Sequence, residues 1–208
     1  EGLIARYPLA TDAKDVSGNG WDGEVKGDAS FSQDSLVLPG GAKSNQNYVE
    51  LPEGMFDGQN ELTISMWIKN NDTQINTSAF SINGQEKQNG YPKYYFLLNP
   101  TNPDGYYKAV FTDPEAGSTA NPWTTEVGVN NSQNNSVVTS DRMNQWMYYT
   151  ITISEDTLTG YLNGKLVGSD EILNLTVSDF GEDLAGYIGA SDYADDTFAG
   201  SFRDLRIY

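Results

Sequence analysis

Apolar and polar residues alternate along much of this chain, and the period of the alternation is two. In "ELTISMWIKN" Leu62, Ile64, Met66 and Ile68 fall on one side. In "WMYYTITIS" Met147, Tyr149, Ile151 and Ile153 do the same, against Trp146, Tyr148 and the threonines. Such alternation predicts strands with one buried face. No stretch sustains a helical stripe over three turns, so helices are not expected to carry the fold. Between the runs "LTGYL" and "KLVGS", the pair Asn163-Gly164 supplies two residues that tolerate positive φ, which predicts a two-residue type I′ hairpin. Further short strands are expected at "LIARYPL", "SLVLP", "YVELP", "AFSING", "YYFLLN", "YKAVFT", "AGYIGAS" and "GSFRDLRIY". About a dozen short strands without an internal repeat of about 40 residues predict an all-β, two-sheet antiparallel β-sandwich of the jelly-roll type rather than a propeller.

The chain has 208 residues, enough for one sizeable core, and it reads as a single domain over 1–208. Its formal net charge of -17 argues against a nucleic-acid or anionic-membrane partner, because phosphate recognition needs clustered Lys and Arg. Without Cys or His it has no thiolate, no disulfide and none of the commonest general bases or transition-metal ligands. No apolar run is long enough to span a bilayer as a helix, and "EGLIARYPL" lacks the regions of a signal peptide. With a strand-like "FRDLRIY" at the other end, the chain is expected to be a domain excised from a larger protein.

Two stretches carry candidate chemistry. In "DVSGNGWDG" the residues Asp15, Asn19 and Asp22 can direct oxygen atoms at one hard cation, with calcium the natural choice. The alternative is that Asp15 and Asn19 are turn residues bonding their own backbone. The second stretch runs from "YPKYYFLLNP" to "NPWTTE". Sugars are held by aromatic faces against C–H surfaces and by amides and carboxylates against hydroxyls. Tyr95, Tyr107 and Trp123 offer rings here, while Asn99, Asn102, Lys108 and Glu126 offer donors and acceptors. Trp123, in a loop after Pro122, is expected to be exposed; Trp21 is a second candidate, or else a cap on the sandwich. The E-x-D-x-x-E strand of jelly-roll glucanases is absent, as is a G-x-S-x-G nucleophile, and "SDYADDTF" reads as a solvated acidic rim or a second cation site. Intrinsic catalysis is therefore not expected.

Taken in order, "LIARYPLATDAKDVSGNGWDGEVKG", "YVELP", "LTISMWIK", "WMYYTITISEDTLTGYLNGKLVGS", "GYIGAS" and "FAGSFRDLRIY" resemble the laminin-G-like, concanavalin-A-like jelly-roll domains that bacteria append to secreted glycoside hydrolases. The central stretch resembles the subgroup beside arabinan-, arabinoxylan- and galactan-degrading enzymes. The resemblance implies an extracellular, non-catalytic module that binds an arabinose-, xylose- or galactose-containing polysaccharide for an adjacent catalytic domain. A different implication is a structural domain that packs against that catalytic domain and has no sugar site. The resemblance also places Asp204 of the last strand beside the Asp15 loop, completing a calcium cage of Asp15, Asn19, Asp22 and Asp204. Arg203, where the family usually carries an acid, permits instead a salt bridge to Asp22 or Asp15.

Overall fold

The computed structural model describes residues 2–71, 76–100, 107–114, 117–130, 143–154, 156–172 and 175–208. In chain order the strands begin with β1 (Ala5–Tyr7), β2 (Glu24–Val25), β3 (Ser30–Ser32), β4 (Ser35–Gly41), β5 (Val49–Leu51) and β6 (Leu62–Asn70). The middle of the chain gives β7 (Phe80–Asn83), β8 (Lys87–Gln88), β9 (Tyr91–Pro92), β10 (Tyr95–Asn99), β11 (Lys108–Thr112) and β12 (Glu126–Val129). The last part gives β13 (Trp146–Ile153), β14 (Thr157–Leu162), β15 (Lys165–Glu171), β16 (Ala185–Ile188) and β17 (Thr197–Ile207).

These strands build two large antiparallel sheets. An eight-stranded sheet runs β15-β14-β13-β6-β17-β4-β3, with β1 also paired to β17; a seven-stranded sheet runs β12-β11-β10-β7-β16-β5-β2. Among the described residues β8 and β9 pair only with each other. The last strand lies between β4 and β6, and β16 lies between β5 and β7, so late segments close both sheets around early ones. The expected all-β sandwich is the observed fold. Among the described residues no helix is long and apolar enough to cross a membrane.

The period-two pattern sets which side chains meet. Leu62, Ile64, Met66 and Ile68 of β6 are buried, as are Tyr149, Ile151 and Ile153 of β13, with Met147 half-buried beside them. They face Phe80, Ile82, Phe96, Leu98 and Phe111 of the other sheet in one continuous core. Each such side chain contributes roughly 1.5–3 kcal/mol when fully removed from water. The predicted hairpin is present: Leu162 pairs with Lys165 across Asn163 and Gly164, whose φ angles are 50° and 76°.

The same alternation loads the outward face of the seven-stranded sheet. Phe96 and Leu98 point into the core, so Tyr95, Leu97 and Asn99 point away from it. Register then places Lys108 opposite Asn99, and Glu126 at the end of β12 opposite Thr112. Rings, an amide and an ion pair thus share one face because their strands are in phase.

Candidate functional site

A cavity of about 610 Å³ opens on that outward face. Its floor is Tyr95, Leu97 and Asn99 of β10 with Lys108 of β11 and Glu126 of β12. Its walls are Tyr91 and Trp123 on one side and the Ser191–Asp195 segment after β16 on another, with Asn76 and Ser78 before β7. Trp123 rides on a short 3-10 turn, Pro122–Thr125, whose proline presets the first helical φ. The turn leaves Trp123 42 % exposed, as its place after Pro122 led one to expect.

Four rings converge at the cavity. Tyr91 meets Trp123 edge to face at a centroid distance of 4.8 Å and stacks on Tyr193 at 5.6 Å. Tyr193 in turn meets Tyr95 edge-on at 5.4 Å and Trp123 at 6.0 Å. Such pairs brace one another at separations favourable to the ring quadrupoles. The cluster is therefore a pre-formed apolar surface rather than four independent side chains.

The polar floor is equally fixed. Glu126 accepts the Tyr95 hydroxyl at 2.6 Å on Oε1 and pairs with Lys108 Nζ at 2.6 Å on Oε2. Burial, reinforced by the Glu126 charge, pushes the Tyr95 phenol far above its ordinary value, so Tyr95 stays a donor. The Tyr193 hydroxyl is buried without a well-formed hydrogen bond among the described residues, although it lies close enough to Tyr95 for the two phenols to perturb each other. Asp195 stands on the rim; burial of its carboxyl and the like charge of Asp196 raise its pKa, against the pull of Lys43 and Lys108. Lys43 Nζ lies over the Tyr48 and Tyr187 rings and donates to the Ser191 carbonyl, which anchors the segment carrying Tyr193 and Asp195.

Of the residues expected to contact sugar, Trp123, Tyr95, Asn99, Lys108 and Glu126 come together at this cavity. Asn102 lies outside the described residues. Tyr107 does not line the cavity and is corrected to a core residue. It is fully buried, stacks on Tyr149 at 5.7 Å, and lies so close to Gly160 that a Cβ there would come within 2.7 Å of its ring. The cause is strand phase: Lys108 faces outward, so its neighbour Tyr107 must face inward. Tyr193, Asp195, Asn76 and Ser78 went unforeseen. The cue for Tyr193 and Asp195 was the acidic, ring-bearing "SDYADDTF", but no local pattern says that it folds over β10.

The Asp15 loop has a different character. Asp15 Oδ1 accepts the backbone N–H groups of Arg6 and Ser17, and Oδ2 accepts the Ser17 hydroxyl and the Trp21 N–H. Four donors saturate a carboxylate. Against the upward push of burial, these bonds hold the Asp15 pKa below its ordinary value. Asp22 accepts the Asp15 N–H, and Asn19 turns its amide nitrogen to the Leu3 and Ile4 carbonyls. Asp204 sits at a bulge in β17 with φ 46°, which aims its carboxylate at Arg6, 2.9 Å away, and Arg206, 2.7 Å away.

Asp15 and Asp204 fit a calcium cage poorly, because both oxygens of each already face protein donors, and among the described residues no group of three acidic side chains is arranged to hold a metal. The expected Arg203 bridge is also corrected. Arg203 lies over the Trp146 ring at 4.2 Å and donates to the Gln33 and Asp34 carbonyls, while Arg6 and Arg206 take Asp204. Trp21 caps the sandwich, packed against the core.

A laminin G family model, described as the concanavalin A-like lectin/glucanases superfamily, matches residues 43–208. The chain belongs to that superfamily. Among curated proteins, none matches the chain. Among solved structures, domain 4 of AbnA, a GH43 extracellular arabinanase from Geobacillus stearothermophilus in complex with arabinotriose, superposes with a TM-score of 0.71. It is 18 % identical, and the match covers 100 % of this chain and 92 % of that one. A botulinum neurotoxin serotype D/C binding domain matches with a TM-score of 0.62 at 16 % identity, over 100 % of this chain and 48 % of that one. Trypanosoma rangeli sialidase matches with a TM-score of 0.61 at 12 % identity, over 100 % of this chain and 30 % of the enzyme. At these identities the likeness is one of fold: the superfamily's sandwich recurs as one part of larger proteins.

Proposed function

We propose that this domain is a non-catalytic carbohydrate-binding module, which holds a linked glycoside hydrolase on an arabinose-, xylose- or galactose-containing polysaccharide outside the cell. The observation that carries the reading is the convergence of four aromatic rings on a floor of Asn99 and the Lys108–Glu126 pair in one open cavity. Rings of this kind cover the C–H faces of a sugar, and the fixed amide and ion pair exchange hydrogen bonds with its hydroxyls. The arabinotriose complex of the similar arabinanase domain supports the choice of ligand class. Weak binding suffices for the role, since a tether raises the local concentration to the millimolar range.

Among the described residues the cavity holds two carboxylates, Glu126 and Asp195. Hydrolysis would need one as a free base or nucleophile and the other as an acid. Both Glu126 oxygens are committed to Tyr95 and Lys108, which favours binding over catalysis.

The test is retention of the isolated domain in affinity gels containing arabinan, arabinoxylan or galactan. Retardation on at least one is expected, with Trp123→Ala weakening it by roughly tenfold, the scale of a lost aromatic contact, while the loss of its contacts to Tyr91 and Tyr193 lowers the melting temperature by only a few degrees. Absence of retardation on all three would transfer the domain to a structural role beside its enzyme.

A further inference from the structure

The opposite side of the sandwich carries its own aromatic surface. On the outward face of the eight-stranded sheet, Trp67 is 38 % exposed and leans on Tyr148 at a centroid distance of 5.1 Å and an angle of 43°. Register sets Arg203 directly across from Trp67, and Trp146 across from Lys69. Both cations lie over the Trp146 ring, Arg203 at 4.2 Å and Lys69 at 5.7 Å.

The charge pattern here is unlike the rest of the chain. The net charge is -17, yet Lys69 and Arg203 have no ion-pair partner among the described residues, because Asp204 on the same strand is taken by Arg6 and Arg206. The surrounding face is not apolar either. Thr63, Thr152 and Thr159 lie in register across three strands, half-buried, with the Thr159 hydroxyl bonded to that of Ser169 at 2.8 Å. A protein–protein interface core favours rings and Arg but is depleted of Lys; Lys69 beside Arg203, both without an ion-pair partner among the described residues and next to an exposed indole, suits an anionic ligand with an apolar ring face.

We propose that this face is a second binding site, for an acidic sugar, whose ring lies on Trp67 and Tyr148 while its carboxylate is taken by Arg203 and Lys69. Arg203 uses two of its five N–H donors on the Gln33 and Asp34 carbonyls, which fixes the guanidinium and leaves others for a carboxylate. The negative charge elsewhere on the domain is screened beyond about 8 Å at physiological ionic strength, so contact at the two cations decides the binding. The site is separate from the cavity, which lies on the other sheet.

Titration calorimetry with a galacturonate trimer, and with the same trimer reduced at C6 to its neutral form, tests this in a domain whose cavity is disabled by Trp123→Ala, alongside the unaltered domain. The acidic trimer is expected to bind at least roughly tenfold more tightly than the neutral one, as a charge-assisted hydrogen bond allows, and to weaken as salt is raised. Arg203→Gln and Trp67→Thr should each weaken acidic binding by a similar factor, and Trp123→Ala should leave it unchanged. Should Trp67→Thr fail to fold, Arg203→Gln decides. Equal binding of the two trimers, no binding, or loss with Trp123→Ala alone would overturn the proposal, as would self-association that Trp67→Thr abolishes. Failure here would leave neutral-glycan retention at the cavity intact, and loss of that retention would leave this site standing.

Discussion

Glu126 is the residue on which the cavity turns. Its side chain is 9 % exposed, and it joins Tyr95 from β10 to Lys108 from β11, so one carboxylate ties together three adjacent strands at the cavity floor. Glu126→Gln would leave a largely buried ammonium unpaired, a change expected to cost about 3 kcal/mol, read as a lower melting temperature together with lost glycan retention. Lys108→Met combined with Glu126→Gln should recover much of the stability and none of the retention. If the double variant recovered both, the pair would be a structural strut and not a ligand contact. At this scale the sequence was informative wherever chemistry and exposure agree. Trp123 follows a proline in a loop, and Glu126 opens a strand after that loop. Tyr107 misled because a tyrosine carries both a ring for sugar and a ring for core, and only the phase of its strand, set by Lys108 outward and Ala109 inward, distinguishes the two.

At the scale of elements, the first loop and the last strand are stapled by hydrogen bonds and guanidinium pairs. Asp15 and Asp204 both have pKa values held below the ordinary carboxylate value: burial opposes this, but donors from Arg6, Ser17 and Trp21 outweigh it at Asp15, and Arg206 and Arg6 outweigh it at Asp204. The unfolded chain therefore binds more protons than the folded one at acid pH, and stability present above the unfolded value is lost as pH falls through the folded one. The melting temperature should drop as pH is lowered below about 4, with a shallower slope in Asp15→Asn. A chelator should leave the wild-type melting curve where millimolar calcium leaves it; a shift between the two would restore the metal at this loop.

The strands of these elements were largely readable. β6, β13 and the Asn163-Gly164 hairpin announce themselves by period-two alternation and positive-φ residues. The bulge at Asp204 was not readable, because its left-handed backbone depends on which strands flank β17, a tertiary fact.

The whole molecule is a sandwich with two differently loaded outer faces. One carries a cavity of neutral rings with an internally compensated ion pair; the other carries an indole platform with uncompensated cations. That division follows from strand phase, since the residues that do not enter the core must meet solvent on one sheet or the other. Composition alone could not reveal it, because a net charge of -17 averages over both faces and hides the few cations gathered on one. The cavity on the seven-stranded sheet is proposed to hold a neutral oligosaccharide. The most direct test is to titrate the isotopically labelled domain with arabinotriose and follow its backbone amide resonances. Shifts concentrated on β10, β11, the Pro122–Glu126 turn and the Ser191–Asp195 segment are predicted. An unmoved spectrum, or shifts confined to the Trp67 face, would contradict it.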